Sequence, residues 1–484
     1  MNKKYILLIL TLLMSIAGFS SWAQTLDSAK IKAVESGLEG AFKTKEQKPW
    51  TIWDRMHYYR IKGLSIAVIS NYHLAWAKGY GWADDSLKIP VTTQTLFQAA
   101  SISKSLNAVG VLKLVQDKKL DLYADINTYL GSWKFPYDSL SKGKKISVAN
   151  LLSHTGGLTV HGFDGYEQGS VLPTLQQVLD GQKPANSDPI RSMYEPGLKS
   201  EYSGGGITIS QEIVTDITHQ PYDKYMYDKV LKPLGMTSST YEQPPKDKKQ
   251  ELLATAYRPD GKPVKGRYHI YPEQAAAGLW TNPTDLSKYI IETQLAYAGR
   301  SEKVLNQQTT KIRLTPYLDK QAALGVFLID QDSTKYFSHS GANEGFRADY
   351  WGSLEGGNGL VIMVNSDNGQ IIPEIENAIA NVYGFKGLYR TKLLTTTTVA
   401  DSVLQSYIGE FELAPGFSIT VTREGSHLFG QGTGQPKFEL YPETQTKFFL
   451  KVADAKVEFI KDDKGQVIKA ILYQNGEHEM KKVK

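Results

Sequence analysis

No cysteine occurs among the 484 residues. That excludes disulfides, a thiolate nucleophile, thiolate metal sites and a lipidated N-terminal cysteine. Beyond the first two dozen residues no apolar run reaches the ~20 residues that a membrane-spanning helix needs. The chain has no His-Glu-x-x-His pair, no phosphate-cradling glycine loop and no Gly-x-Ser-x-Gly elbow, so neither a metal nor a cofactor is expected. An excess of charge of one sign is lacking too. The formal net charge is only +5, with acidic and basic residues interspersed, which argues against a nucleic-acid partner. The partner expected is a small molecule or a peptide, with no stable membrane anchor, and no oligomeric state is indicated.

What is present starts with Lys3 and Lys4, the apolar run Tyr5 to Phe19, and Ser21-Trp22-Ala23 with small residues at the flanks of a cleavage site. These are the three parts of a secretory signal, so residues 1–23 are expected to be removed before Gln24 and the protein to be exported, periplasmic or secreted from a bacterium. An uncleaved anchor is the alternative. A hydrophobic content of 41% over this length suits two domains.

Leu64 to Ile69 and His73 to Trp82 read as a β-hairpin. Helical patterns follow at Ser105–Val115, Val148–His154, Gly205–His219 and Pro283–Ala298, and strand patterns return at Ala323–Ile329, Tyr336–His339, Ala348–Trp351 and Gly359–Asn365 before a closing helix at Glu374–Tyr383. Late strands that rejoin an early hairpin give an α/β (α+β) sandwich, an antiparallel sheet with flanking helices and an all-helical region. Its domain is expected over 24–390. Thr391–Ala400, with four consecutive threonines, reads as a linker, and 401–484, with alternating strands and turn signals such as Asn475-Gly476, as a small all-β barrel domain.

Chemistry is concentrated at Ser101-Ile102-Ser103-Lys104, at the foot of the apolar helical run. A serine hydroxyl is a poor nucleophile until a neighbour takes its proton, and a lysine one helical turn on can do so when burial lowers its pKa. The same residues also suit a plain helix cap followed by a solvated lysine. Two further stretches carry polar groups beside glycines: Tyr202-Ser203-Gly204 before a helix, and His339-Ser340-Gly341-Ala342-Asn343 at a strand end, where glycine allows close approach.

In this order and spacing the three stretches resemble the motifs of the β-lactamase-related serine hydrolases, which include class C β-lactamases, low-molecular-weight penicillin-binding proteins, D-aminopeptidases and esterases. Leu151-Leu152-Ser153-His154-Thr155-Gly156-Gly157, Leu231-Lys232-Pro233-Leu234-Gly235 and Ala277-Gly278-Leu279-Trp280-Thr281 are similar as well. The resemblance implies Ser101 as the acylated nucleophile, Lys104 as its base, and Tyr202 in proton transfer, with the base role open between Lys104 and Tyr202. It implies an oxyanion hole from the backbone N–H groups of Ser101 and Ala342. His339, Ser340, Gly341, Gly204 and Asn343 would line the substrate pocket.

Two departures bear on substrate. The second motif usually ends in asparagine and here ends in Gly204; the third begins with His339 where a β-lactamase has lysine. A neutral histidine grips no carboxylate, and Arg347 is the cation that could do so instead. The expectation is an acyl-enzyme hydrolase of amides or esters. The alternatives are a slowly acylating penicillin-binding sensor, or a D-Ala-D-Ala carboxypeptidase or D-aminopeptidase. The C-terminal domain is similar to the lipocalin-like domains appended to members of this family, through Gly430–Pro436 and Phe438–Pro442.

Overall fold

The computed structural model describes residues 28–246, 251–435 and 437–484. The expected signal segment, 1–23, lies outside the described residues. Contacts divide the chain into two compact units: Trp53–Ile372 with Tyr383–Gly387 and described residues 28–31, and a second of Lys32–Ile52, Pro373–Val382 and Leu388–Lys484.

In the first unit the hairpin is β1 (Gly63–Ser70) and β2 (His73–Asp84), followed by the short β3 (Ile89–Pro90). The late strands are β4 (Phe327–Gln331), β5 (Thr334–Asn343), β6 (Phe346–Ser353) and β7 (Gly359–Val364). They join in one antiparallel sheet of order β3-β2-β1-β7-β6-β5-β4. β1 and β7 are central, and their near-continuous apolar residues are buried on both faces. The expected strand at Ala323–Ile329 begins only at Phe327. Its first residues form an irregular segment, with Gly325 N–H donating to Leu152 O.

Helix α1 (Ser103–Gln116) is the interior helix, with all of Ser103 to Leu112 buried. Its buried polar groups are satisfied: Ser105 Oγ donates to Gly325 O at 2.8 Å, and Asn107 exchanges hydrogen bonds with Ser210 and Tyr222. Around it lie α2 (Val148–Leu152), entered through a Ser147–Asn150 capping box, and α3 (Gly204–Thr218), capped by Ser203 Oγ accepting from Gly206 N–H. Then come the short α4 (Gln274–Ala277) and α5 (Pro283–Tyr297), with Asn282 as cap and Pro283 at its first position.

The second unit contains a closed eight-stranded barrel, β8 (Gly409–Ala414) through β15 (Glu477–Lys482). Its interior is packed with side chains: the Tyr407 ring stacks on Phe459 at 4.3 Å, with Phe411 and Phe448 edge-on to it. Val421, Leu428, Leu440, Val457 and Met480, each on its own strand, add to the same core. The backbone of the stretch read as a linker, 391–400, makes contacts with its neighbours. Lys392–Leu393 pairs in parallel with Phe42–Lys43, and Thr397 N–H donates to Pro442 O.

Candidate active site

Ser101 sits in a 3-10 turn, Ala100–Ile102, immediately before α1, not in the first turn of the helix itself. Ala100 has φ +50°, a left-handed conformation uncommon for a residue with a Cβ. Such a turn is a place where structure imposes strain beside a functional group. From α1, Lys104 Nζ reaches Ser101 Oγ at 2.9 Å and the carbonyl oxygen of Ala276 at 2.7 Å. The lysine is 2% exposed, and burial brings its pKa down from 10.5 to about 7. A neutral amine there can donate one N–H to Ala276 O and still offer its lone pair to the Ser101 hydroxyl.

Tyr202 lies beside this pair, its ring centroid 5.0 Å from Lys104 Nζ. Burial raises its pKa, against which a hydrogen bond with the Ser101 side chain acts, so it is a neutral phenol. His154, in the turn after α2, is tilted against the Tyr202 ring at 4.3 Å, and its Nδ1 accepts from Ser203 N–H. It shapes the turn that presents the tyrosine. Burial and the Lys104 charge push its pKa well down.

His339, on β5, faces Tyr202 and Phe327 at ring distances of 6.2 and 5.4 Å. Its Nδ1 lies 2.7 Å from Ser340 O, an acceptor, so Nδ1 carries the proton and Nε2 a lone pair. Nε2 is buried without a hydrogen-bond partner among the described residues. Burial, with Lys104 nearby, lowers the ring's pKa to about 3, so it is uncharged at neutral pH.

β4 pairs with β5 only along Thr334–Ser338, so His339–Asn343 is a stretch of sheet edge beside the Ser101 turn. Gly341 makes that approach possible, because a Cβ there would lie 2.2 Å from Ala99 O. Ser340 and Ala342 are exposed on this stretch. Gly204, the first residue of α3, is packed against Phe163 and His161 O, and a Cβ there would meet them at 3.2 and 3.1 Å. Phe163 and the backbone at His161 thus border the position where an asparagine amide is usual.

Asn343 and Arg347 are engaged elsewhere. The buried Asn343 amide donates to Gln98 Oε1 at 2.8 Å and Ala277 O at 3.1 Å, tying the strand to the segment that carries Ala276. Arg347 donates to the carbonyls of Asn343 and Phe346 and pairs with Asp367 at 3.1 Å. It is therefore not a free cation awaiting a carboxylate. Sequence reasoning missed Ala276, which acts through its backbone and carries no side-chain signal beyond the small residues around it. It also missed Phe327, which lies within the strand pattern at Ala323–Ile329 but has no polar group to mark it as part of the site. No group of metal-ligating side chains occurs among the described residues, and no described helix is long and apolar enough to cross a membrane.

A serine–lysine pair at the foot of a buried helix, alongside an antiparallel sheet edge, is the arrangement of a serine-hydrolase class. The chain belongs to the β-lactamase family, whose model matches residues 51–382, and residues 395–483 match a domain of unknown function (DUF3471). Among curated relatives, Protein flp of Staphylococcus aureus (strain MRSA252) is 24% identical over 318 residues, covering 65% of this chain. The match spans only 61% of that relative's own length. Among solved structures, the octameric penicillin-binding protein homologue from Pyrococcus abyssi superposes with a TM-score of 0.61 at 20% identity, covering 89% of this chain and 98% of that one. The D-amino acid amidase from Ochrobactrum anthropi SV3 gives 0.57 at 21%, covering 73% and 99%. At these identities the structural likenesses establish the fold.

Proposed function

We propose that the protein is an exported serine hydrolase that acylates Ser101 and releases the acyl group to water. The observation that carries this reading is the Lys104–Ser101 contact of 2.9 Å, made by a lysine whose pKa burial has brought to about 7. In the first step Ser101 Oγ attacks the substrate carbonyl carbon while its proton passes to Lys104 Nζ. The developing oxyanion would be held by the backbone N–H groups of Ser101 and Ala342. The leaving nitrogen or oxygen then takes a proton from Lys104, with the neutral Tyr202 hydroxyl as relay. Water repeats the sequence on the ester and restores Ser101.

The surroundings favour acyl donors without a carboxylate beside the scissile bond. His339 is uncharged and Arg347 is spent on Asp367 and two carbonyls, so neither grips the acid group of a β-lactam or a terminal D-alanine. Esters, or amides of amino acids, fit better. A second reading, a slowly deacylating penicillin-binding sensor, is favoured by Gly204, where no amide is available to hold the acyl-side carbonyl.

Mass spectrometry after a fluorophosphonate probe is expected to find one adduct, on Ser101. In a panel of p-nitrophenyl esters, D- and L-amino-acid amides and nitrocefin, kcat/KM for nitrocefin is expected to be the lowest. An unlabelled Ser101 removes the acyl-enzyme reading. A single burst of product without steady turnover on every substrate supports the sensor.

A further inference from the structure

Ser103 lies inside the Ser-x-x-Lys stretch, yet nothing in the mechanism above uses it. It is fully buried. Its hydroxyl makes two hydrogen bonds of opposite sense: it donates to Ala100 O at 2.5 Å and accepts from Leu279 N–H at 2.9 Å. The first partner is the carbonyl of the residue with φ +50°, the left-handed residue directly before the nucleophile. The second belongs to the segment that leaves α4, three residues after the Ala276 carbonyl that holds Lys104.

We propose that Ser103 is a positioning residue for the acylation step: through its one hydroxyl it fixes the Ser101 turn and the Lys104-holding segment relative to each other. This rests on the reading of Ser101 and Lys104 as nucleophile and base.

The connections around it show why a single hydroxyl can do this. Leu279 is held from both sides of the nucleophile turn, since its carbonyl also accepts from Ala99 N–H at 2.8 Å. Ala99 and Ser103 therefore bracket Ala100, Ser101 and Ile102 against one residue of the neighbouring segment. The short strands Phe97–Gln98 and Trp280–Thr281 continue the same pairing on one flank. On the other flank the Asn343 amide holds Ala277 O. Tyr241 OH donates to the Ser103 carbonyl at 2.7 Å and fixes the start of α1 itself.

Without the Ser103 hydroxyl, the buried Leu279 N–H would lose this acceptor and Ala100 O would keep only the Ser103 backbone N–H, and buried polar groups reorient to find other partners. The left-handed residue would lose one of the two hydrogen bonds that Ser103 makes to its carbonyl. A displacement of about 1 Å at the reacting atoms of such a site costs on the order of 100-fold in rate. No part of Ser103 is accessible to a substrate, so binding itself should not change.

The test compares Ser103→Thr with Ser103→Val, side chains of nearly equal size of which only threonine has the hydroxyl, together with Ser103→Ala. Fluorophosphonate inactivation is followed at Ser101, and kcat and KM are measured on the best ester. The expected result is that Val and Ala lower the inactivation rate and kcat by about 100-fold relative to Thr, with KM unchanged within about twofold and the circular dichroism of the wild type retained. Val or Ala variants that acylate as fast as Thr would overturn the proposal, and so would a loss carried by KM alone. If all three variants lose cooperative unfolding, Ser103 serves folding and not positioning, and the proposal is again wrong. A wild-type protein that is not labelled at Ser101 sinks the underlying reading instead, which separates the two failures.

Discussion

Replacing Lys104 by methionine is expected to lower kcat/KM by about 10³- to 10⁴-fold while leaving the protein folded. General-base assistance is worth about 10²- to 10⁴-fold, and a serine hydroxyl without it is a very weak nucleophile. Methionine matches the length of the lysine stem and removes the buried charge, so the core around α1 should tolerate it. Lys104→Arg should be at least as inactive for a different reason, because a guanidinium does not deprotonate at any pH the protein survives. An Arg variant with wild-type turnover would exclude Lys104 as the base and turn attention to Tyr202.

The wild-type profile carries the same information. Since burial lowers the Lys104 pKa to about 7, the neutral, basic form grows as pH rises through about 7. kcat/KM should climb along a limb with its midpoint there and level off above it. Glu273 titrates in the same range: it is fully buried, neither carboxylate oxygen has a hydrogen-bond partner among the described residues, and burial raises its pKa to about 7. Glu273→Gln separates the two. If the limb stays near 7 in that variant, it belongs to Lys104; if it vanishes, the assignment to Lys104 fails. Linkage gives a stability trend of definite sign. Between about 7 and 10.5 the unfolded chain binds the Lys104 proton and the folded one does not, so Lys104 makes the fold gain stability as pH rises through that window.

The sequence displayed much of this arrangement because the relevant signals are local. α1 was legible from an apolar run with few polar interruptions, and the central strands β1 and β7 from β-branched runs between turn residues. The barrel announced itself by alternation, as at Val457 and Phe459. The Ser101–Lys104 pair was legible because a spacing of three residues at the start of a helical run brings two side chains to the same face. What was not legible depends on tertiary approach. The 3-10 turn at Ser101 is hydrogen-bonded to Leu279 on both flanks, and the acceptor for Lys104 is a backbone carbonyl 172 residues away in sequence. The engagement of Arg347 by Asp367 and of Asn343 by Gln98 could not be read from residue type, since a free arginine and a paired one have the same letter. The early segment Lys32–Ile52 clusters with the C-terminal unit, which chain order alone gives no means of expecting.

Gly341→Val is the second substitution with a large expected effect, and it tests the sheet edge as the acid–base pair cannot. The position of β5 next to the Ser101 turn depends on a missing side chain: a Cβ at residue 341 would sit 2.2 Å from Ala99 O, 3.1 Å from Ala99 C and 3.2 Å from the Ala100 side chain. Two of these atoms are backbone, and the third belongs to the strained residue before Ser101, so none can swing aside as a flexible side chain would. The strand itself must move, and with it His339 and the Ala342 N–H. Because β5 is paired with β6 from Tyr336–Ser353 to Asn343–Phe346, the shift cannot be confined to one residue. Overpacking of this kind costs about 1–3 kcal/mol of stability. If Ala342 N–H holds the oxyanion as proposed, its displacement should lower kcat by about 10²- to 10³-fold, the effect of removing one oxyanion donor. The Gly341→Ala variant should show the same direction, because the first carbon already makes the contact. Urea denaturation and single-turnover acylation of the two variants measure both effects. If Gly341→Ala acylates at the wild-type rate, the His339–Asn343 edge does not contribute to the transition state, and Ala342 loses its place in the oxyanion hole.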